Sequence, residues 1–212
     1  KAGKAFVCDL NADEMREYIR ATIRRRDTVG GVFEVAALGV PAGLGSHVHW
    51  DRKLDGRLAQ AMMSVPAVKG VEIGPAFENA ARYGTEVHDQ IYLEEGIVTR
   101  RTNRAGGLEG GITTGQAIVI RAALKPIATT LNPLRSVDLV SGEETETNYE
   151  RSDFTAVTRG GPIGEAVVAW VLADALVEKL GGDSLNEMRP RFEQVRAAAL
   201  VRPPVAVPER DA

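Results

Sequence analysis

A glycine-rich stretch, residues 103–115, lies directly before the strongest strand-like run of the chain, Ala117 to Leu124. Glycine reaches positive φ without steric cost and lets the backbone approach a ligand closely, and exposed N–H groups in such a loop can face anionic oxygens. The stretch predicts either a cradle for an anion or cofactor, or tight turns that only build the fold, since its spacing matches neither the dinucleotide fingerprint nor the P-loop. Its five glycines are Gly106, Gly107, Gly110, Gly111 and Gly115.

Basic residues around this stretch would add charge-assisted hydrogen bonds to a phosphate or carboxylate. They are Arg100, Arg101, Arg104, Arg121 and Lys125. A second basic run, residues 24–26, indicates either phosphate binding or cations that complement the carboxyl terminus of a helix, and the second interpretation is favoured. A nucleic-acid-binding module built on these arginines is an alternative, but the net charge of −3 argues against it.

The composition indicates a soluble globular protein, because 212 residues with 44% hydrophobic and 26% charged side chains can bury a real core. The longest apolar stretch, Ala166 to Val177, contains Asp174 and is too short to cross a bilayer, so we expect no membrane partner. One cysteine, Cys8, excludes an internal disulfide and is typical of a reducing compartment. A cytoplasmic location is predicted, with no nucleic-acid partner.

Hydrophobic periodicity along the chain predicts an α+β fold. Strands are predicted at residues 5–9, 32–40, 68–73, 117–124 and 136–140, and helices at residues 11–26, 54–63 and 166–180 and from Ser184 onward. Residues 77–91 and 141–150 are predicted to be loops. The helix at 166–180 is apolar almost all round, so we expect it to be buried on several sides in a longer protein, of which this chain is a fragment, and to have exposed apolar faces in the fragment. Residues 1–200 are predicted to form a single domain, and residues 201–212 a disordered proline-rich tail.

Three pairs of residues have spacings that suggest chemistry. His47 and His49 share one face of an extended chain, but no third ligand lies at a useful spacing, so no metal site is predicted. His88 and Asp89 are adjacent and point apart, which favours a structural role. Arg151 and Asp153 lie two residues apart on an extended segment, where the cation can hold an anion while the carboxylate handles a proton. A plain surface ion pair is the alternative.

Several segments occur in an order and spacing that resemble the carboxyl-terminal part of the chorismate synthase family. They are residues 67–74 (Ala-Val-Lys-Gly-Val-Glu-Ile-Gly), 103–107 (Asn-Arg-Ala-Gly-Gly), 110–112 (Gly-Gly-Ile), 125–126 (Lys-Pro) and 151–153 (Arg-Ser-Asp). The resemblance runs from about Leu10 to about Leu180. The family's amino-terminal signature segments are not present and the chain opens on Lys1, so we expect a fragment of a longer protein.

The resemblance implies a β-α-β sandwich, with antiparallel sheets around a helical core, of which this chain supplies part. It implies a lyase that converts 5-enolpyruvylshikimate 3-phosphate to chorismate and phosphate by an anti 1,4-elimination, the last step of the shikimate pathway. The family requires reduced FMN (FMNH2) and is associated with NADP and a homotetramer. We expect the fragment alone to be inactive. A non-catalytic flavin- or anion-binding assembly domain is the alternative function.

The resemblance also assigns individual residues. It places catalytic roles on Asp153, as the group that manages the flavin proton, and on Arg151, which also approaches the substrate. Ser152 stands where many members have histidine, and Ala128 stands where a hydroxyl residue is common. The flavin contacts that it implies are Pro66, Ala67, Gly110, Lys125, Pro126, Ile127, Ala128, Thr129 and Arg151.

Overall fold

A computed structural model describes residues 12–150 and 153–198 of the chain. Within these residues the helices are α1 (Ala12–Arg24), α2 (Leu54–Met63), α3 (Ala76–Ala80), α4 (Gly84–Val87), α5 (Val157–Leu180) and α6 (Leu185–Ala198), with one 3-10 turn at Trp50–Arg52. The strands are β1 (Gly31–Ala37), β2 (Val68–Ile73), β3 (Ile91–Glu94), β4 (Ile97–Arg100), β5 (Leu108–Glu109), β6 (Ile112–Thr113), β7 (Ile118–Leu124), β8 (Arg135–Val137) and β9 (Glu144–Glu146). The predicted α+β class is confirmed.

The largest sheet has three strands in the order β1-β7-β2, so β7 is the central strand. Its residues alternate between buried and more exposed positions, with Ile118, Ile120, Ala122 and Leu124 buried, which is the two-residue period of a strand with one covered face. The other sheets are antiparallel hairpins formed by β3 with β4, β5 with β6, and β8 with β9.

The chain divides into two compact units. The first unit comprises Lys1–Glu34, Met62–Val71 and Arg121–Ala166, and the second comprises Val35–Ala61, Glu72–Ile120 and Val167–Ala212. Each has its own buried side chains. Those of the first unit include Phe33, Met62, Val65, Val68, Ala122 and Leu124, and those of the second include Leu44, Leu54, Leu58, Leu108, Ile118, Ile120, Val168, Val171 and Leu172.

Helix α1 has an acidic first turn and ends on Arg24, so its charges complement the helix dipole as predicted. Arg26, just beyond it, has a φ of 57° and takes the left-handed conformation that ends many helices. The apolar face expected at Met15, Ile19 and Ile23 is only partly covered, since 42% of the Ile23 side chain is exposed. Helix α1 therefore contributes a half-buried apolar surface to the first unit.

Helix α5 begins at Val157, well before the predicted start at Ala166. The Gly-Gly-Pro run at residues 160–162 comes before the predicted start of this helix, but it lies inside the observed helix. Gly160 faces Phe33, and a Cβ at this position would lie only 2.7 Å from the Phe33 Cδ1 atom. The glycine therefore permits close helix packing here instead of ending the helix.

The carboxyl-terminal part of α5 is a helix with one buried face. Val168, Val171, Leu172 and Ala175 are buried in the second unit, whereas Trp170 is 78% exposed. Within the described residues the helix is covered on one face, and most of its other apolar side chains are exposed, as expected for a fragment that does not supply all of the partners of this helix. Asp174 forms an ion pair with Arg57 of α2, and Glu178 forms one with Arg52 of the 3-10 turn before α2.

By length and composition, α5 could cross a membrane, since it has 24 residues and a mean hydropathy of 1.4. The predicted stretch Ala166 to Val177 covers only half of this helix, which is why the stretch by itself is too short. A third of the 18-residue apolar window in the helix is buried inside the protein. The end of the helix is as predicted, with Gly181 and Gly182 at φ values of 61° and 98°.

Two predicted loops contain regular structure. Residues 77–91 include the short helix α4 and most of α3, and residues 141–150 include β9. The hairpin of β3 and β4 was not predicted, although its turn, Glu95-Gly96, has the two positive φ values (52° and 79°) of a tight hairpin turn. The predicted strand at 5–9, Cys8 and the tail at 201–212 lie outside the described residues.

Candidate functional site

Two segments that were predicted to contact flavin meet in the first unit. Pro66 and Ala67 form a turn between α2 and β2, and the Ala67 carbonyl accepts a hydrogen bond from the Lys125 N–H at 2.9 Å. Ala67 has a φ of 70°, a left-handed conformation that costs a residue with a Cβ about 1–2 kcal/mol. Backbone strain of this kind often marks a functional position. The turn therefore lies against the start of the second predicted segment.

The segment 125–129 leaves the end of β7 and is held from the connection between α1 and β1. The Thr28 hydroxyl donates to the Ile127 carbonyl at 2.6 Å. Gly30 lies so close to the end of β7 that a Cβ there would be 2.2 Å from the Leu124 carbonyl oxygen. Lys125, Pro126 and Ala128 are exposed, and the other two residues of the segment are half-buried. The segment thus has a restrained backbone and accessible side chains.

Asp153 precedes α5 in the same unit. Its carboxylate forms an ion pair with the Arg159 guanidinium at 2.5 Å, and 48% of its side chain is exposed. The neighbouring Phe154 carbonyl accepts a hydrogen bond from the Val29 N–H at 2.9 Å. Arg151, the predicted partner of Asp153, lies outside the described residues together with Ser152. The predicted pairing of Arg151 with Asp153 therefore stays a prediction.

Arg159 was missed because the sequence was expected to form a loop before Ala166. Since α5 begins at Val157, Arg159 falls in the first turn of the helix, and its side chain can reach back to Asp153. A cation at the amino-terminal end of a helix is unfavourable toward the helix dipole. The nearby carboxylate offsets this. The sequence could have identified this pair only if the helix had been predicted to begin at Val157.

The glycine loop, residues 103–115, lies in the second unit, and all five of its glycines have positive φ, between 61° and 91°. At most of them the backbone of another segment is too close for a side chain. A Cβ at Gly106 would lie 2.3 Å from the Gly74 nitrogen, and one at Gly107 would lie 2.4 Å from the Ala117 carbonyl oxygen. Gly110 differs, since a Cβ there would meet nothing within 4 Å. At Gly110, glycine is favoured by the positive φ alone and not by lack of space for a side chain.

Most amide groups of the glycine loop are already hydrogen-bonded. The N–H groups of Arg104 and Ala105 donate to the Asp89 carboxylate at 2.8 and 2.9 Å. Those of residues 106 and 107 donate to the carbonyl and side-chain oxygens of Asn103, and that of residue 108 donates to the Ala105 carbonyl. For residues 104–108 the structure therefore supports the second of the two interpretations, tight turns that build the fold, because these amides do not face an anion.

Three of the predicted anion-binding cations are paired with acidic side chains. Arg100 pairs with Glu109 at 3.0 Å and Arg101 with Glu94 at 3.0 Å, and Arg101 also lies 4.3 Å from the centre of the Tyr92 ring. Arg104 pairs with Glu78 at 3.2 Å and also donates to the Asn79 side chain. The hydrogen bond from Arg104 lowers the pKa of the Glu78 carboxyl. These cations support the fold of the second unit.

Asp89 is a buried carboxylate whose importance sequence reasoning underestimated. Besides the two backbone N–H groups, it accepts a hydrogen bond from the Thr102 hydroxyl at 2.5 Å, and only 7% of the residue is exposed. Burial raises the pKa of this carboxyl, but the hydrogen bonds from Thr102, Ala105 and Arg104 and the charge of Arg100 outweigh it, so the net shift is downward. Asp89 therefore stays charged and fixes the start of the glycine loop.

Neither a cluster of metal ligands nor the cavity of the first unit coincides with the predicted site residues in the part of the chain that the structure describes. Among the described residues, no group of three histidine, cysteine, aspartate or glutamate side chains lies close enough to hold a metal ion, and His47 and His49 belong to an exposed loop. A cavity of about 330 Å³ opens in the first unit, but none of the predicted flavin contacts lines it. Its lining residues are Glu14, Met15, Tyr18, Ile19, Val29, Gly30, Gly31, Val32, Thr155 and Val157.

Comparison with known proteins identifies relatives of this arrangement. A model of the chorismate synthase family matches residues 3–177. The chain is 55% identical over 182 residues to the chorismate synthase of Aquifex aeolicus, covering 85% of this chain and 46% of that protein. It is 59% identical over 172 residues to a chorismate synthase of Thermus thermophilus, covering 80% and 45%. A solved structure titled "Crystal Structure of Chorismate Synthase" aligns with a TM-score of 0.74 and 47% identity, covering 88% of this chain and 48% of the other.

The helices and antiparallel hairpins, together with this structural match, define an α+β protein with the chorismate synthase fold, as predicted. The chain belongs to the chorismate synthase family, since the family model matches most of it and its relatives are more than half identical. It spans about half the length of the curated relatives that it matches.

Proposed function

We propose that this chain supplies the flavin-binding side of a chorismate synthase. The reaction is the anti 1,4-elimination of phosphate from 5-enolpyruvylshikimate 3-phosphate to give chorismate, with reduced FMN as the required cofactor. The observation that carries the proposal is the identity of 52–59% to proteins named chorismate synthase, which covers the glycine loop and the segments around Ala67 and Lys125. The fold class agrees with this interpretation.

The residues of the first unit fit a flavin phosphate or ring edge. The hydrogen bond between Ala67 and Lys125 brings two short segments together, and the exposed Lys125 adds a cation at their junction. When bound, reduced FMN lends electron density to the step in which phosphate departs and recovers it afterwards. The residues of the first unit that would hold it are Pro66, Ala67, Lys125, Pro126, Ile127, Ala128, Thr129 and Arg151. Gly110, which the resemblance also assigns to flavin, is proposed separately as a contact in the second unit.

Asp153 would manage a proton in this reaction, with Arg151 beside the flavin and the substrate. The carboxylate is accessible, and the ion pair with Arg159 holds it in a defined position. A carboxyl group held in this way can exchange a proton with a bound ligand. Arg159 therefore has a positioning role, and Asp153 is the group that exchanges the proton.

The chain alone would lack part of the catalytic apparatus, because its relatives are about twice as long. We propose that it is inactive by itself and that the complete enzyme is a cytoplasmic homotetramer. NADP would enter only through reduction of the flavin. The alternative function, a non-catalytic flavin- or anion-binding assembly domain, draws support from the glycine loop, whose amides at residues 104–108 are satisfied within the chain.

The decisive experiment restores the missing length. The chain would be produced together with the part of the Thermus thermophilus relative that it does not cover, and chorismate formation would be measured with reduced FMN. We expect turnover from the combination and none from either part. Reduced FMN should also raise the melting temperature of the combination. A combination that assembles but shows neither turnover nor protection by FMN would contradict the enzymatic function and favour the assembly domain.

A further inference from the structure

Three consecutive residues between α1 and β1 contact both parts of the proposed site in the first unit. Thr28 donates its hydroxyl to the Ile127 carbonyl at 2.6 Å, and Val29 donates its N–H to the Phe154 carbonyl at 2.9 Å. Gly30 lies against the Leu124 carbonyl, where no Cβ would fit. None of the three belongs to the residues that the family resemblance assigns to flavin or catalysis. The connection therefore links the backbone of segment 125–129 to the backbone beside Asp153.

The connection itself is held in shape. The Asp27 carboxylate accepts a hydrogen bond from the Thr28 N–H at 2.8 Å, so the backbone beside the Thr28 side chain is itself held. Asn132 donates its side-chain amide to the Arg25 carbonyl at 3.0 Å, a second link from the end of α1 to the chain that follows segment 125–129. Segment 125–129 is thus restrained on both sides of Ile127, and the Thr28 hydroxyl makes the restraint nearest its centre.

We propose that Thr28 is a positioning residue that fixes segment 125–129 for flavin binding. This inference rests on the proposed function, since the flavin role of the segment is part of it. Thr28 acts through the Ile127 carbonyl and touches no reacting group. The Ile127 carbonyl lies between Lys125 and Ala128 in the chain. By binding this carbonyl, the Thr28 hydroxyl restrains the positions of both exposed side chains next to the Ala67 turn. The neighbouring Val29 binds the same connection to the segment that carries Asp153, through its hydrogen bond to the Phe154 carbonyl.

The test compares three variants of the chain, alone and in the combination described above. Thr28→Val keeps the shape of the side chain but removes the hydroxyl, and Thr28→Ser retains the hydroxyl. Thr22→Val is the matched control, because the buried Thr22 hydroxyl also donates to a backbone carbonyl of the first unit, that of Tyr18, at 2.9 Å. It makes the same chemical change within α1, away from segment 125–129.

Amide hydrogen exchange of the chain alone is the first measurement. In Thr28→Val, we expect the amides of residues 125 and 127–129 to exchange at least about fivefold faster, the Lys125 N–H that donates to Ala67 above all, because loss of one net hydrogen bond lowers the local opening free energy. Thr28→Ser should restore slow exchange, and Thr22→Val should leave these amides unchanged. Equal exchange in Thr28→Val and the parent chain would overturn the proposal, whether or not FMN binds.

Flavin affinity of the combination is the second measurement. Thr28→Val should weaken FMN binding about five- to tenfold, with turnover at saturating FMN nearly unchanged, whereas Thr22→Val should bind FMN normally. Faster exchange with unaltered FMN affinity would also overturn the proposal. If the parent combination bound no FMN, the proposed function would fall, and faster exchange in Thr28→Val would still support Thr28 as the residue that positions this segment.

Discussion

The glycine loop of the second unit and segment 125–129 of the first both suggested ligand binding from sequence, but the structure builds them in opposite ways. The glycine loop satisfies its own amides from residue 104 to 108, and other backbone segments pack against Gly106 and Gly107. Segment 125–129 has exposed side chains and is restrained from outside, by Thr28 and Ala67. The first region is a folded support, and the second keeps its side chains accessible.

This difference shows why a cluster of glycines is a weak ligand signal. Glycine is required wherever another backbone segment approaches within about 3 Å of a side-chain position, and such contacts occur inside a well-packed loop as well as around a ligand. Gly110 and Gly115 differ from the other glycines of the loop, because a Cβ would meet nothing within 4 Å at Gly110 and only an ordinary contact at 3.5 Å at Gly115. The comparison therefore predicts that glycines of the same loop respond differently to substitution.

The largest effect should come from Gly107→Ala. The new Cβ would lie 2.4 Å from the Ala117 carbonyl oxygen, at a φ of 81°, so strain and overlap together should cost at least about 3 kcal/mol of unfolding free energy. Gly110→Ala, the matched control, meets no atom within 4 Å and should cost about 1–2 kcal/mol from its φ of 61° alone. Denaturant unfolding measures both. Equal costs would break the distinction between the two glycines.

A larger side chain at Gly110 tests function instead of stability. Gly110→Val should abolish flavin binding by the combination while the fold survives, because the side chain would occupy open space that the proposed ligand needs. Circular dichroism and flavin titration decide the result. Normal FMN binding in a folded Gly110→Val variant would make the whole loop structural and would leave only the first unit as a flavin site.

Asp153→Asn tests the first unit. It should lower turnover of the combination by about 100-fold or more, the usual effect of losing a proton-transfer group, which is about 2.7 kcal/mol or more in activation free energy. FMN affinity should stay within a few-fold, because the carboxylate is not among the proposed flavin contacts. Arg159→Gln is the informative companion, since it removes only the ion-pair partner and should reduce turnover less. Unchanged turnover in Asp153→Asn would remove this residue from the mechanism.

Asp89→Asn tests the support of the glycine loop. Asparagine retains one acceptor oxygen but places an N–H donor toward the backbone amides. We therefore expect the free energy of unfolding to fall by about 2 kcal/mol at neutral pH. The folded-state pKa of Asp89 lies below its ordinary value of 3.8. Its contribution is therefore complete above that value and is lost as the pH falls through the lower folded pKa.

The pH dependence separates this charge from the other carboxylates of the chain. The difference in unfolding free energy between the parent chain and Asp89→Asn should be constant above about pH 5 and should shrink below about pH 4. Denaturant titrations at several pH values measure it. A difference that persists unchanged down to pH 2 would show that the ionised carboxylate does not hold the loop.

The sequence predicted those parts of the fold in which local pattern and tertiary packing agree. Leu54–Met63 and Val68–Ile73 were predicted with the observed bounds, because their apolar residues repeat with the helix and strand periods. The start of α5 was wrong because Gly160 is a helix breaker by local propensity, whereas packing against Phe33 selects glycine there. A rule based on propensity cannot detect contacts between residues so far apart in sequence.

The site shows the same limit. The family resemblance identified Pro66, Ala67 and segment 125–129, and the structure brings these together. It did not identify Thr28 or Arg159, which act through a backbone carbonyl and an ion pair that exist only in the folded chain. In the sequence, Asp89 was considered only together with the adjacent His88. Its partners in the structure are instead Thr102 and two backbone amides. Supporting residues of this kind leave no local pattern.

The smallest effect concerns the strained turn of the first unit. Ala67→Gly removes a Cβ from a left-handed position, which should release about 1–2 kcal/mol, while the added freedom of the unfolded chain costs about 0.5–1 kcal/mol. The variant should therefore be more stable by about 0.5–1 kcal/mol. Ala123→Gly in β7 is the matched control and should be destabilised by about 0.5–1 kcal/mol, because its backbone is extended. If Ala67→Gly were destabilised as much as the control, the turn would carry no strain, and φ at Ala67 would no longer distinguish this region from an ordinary connection.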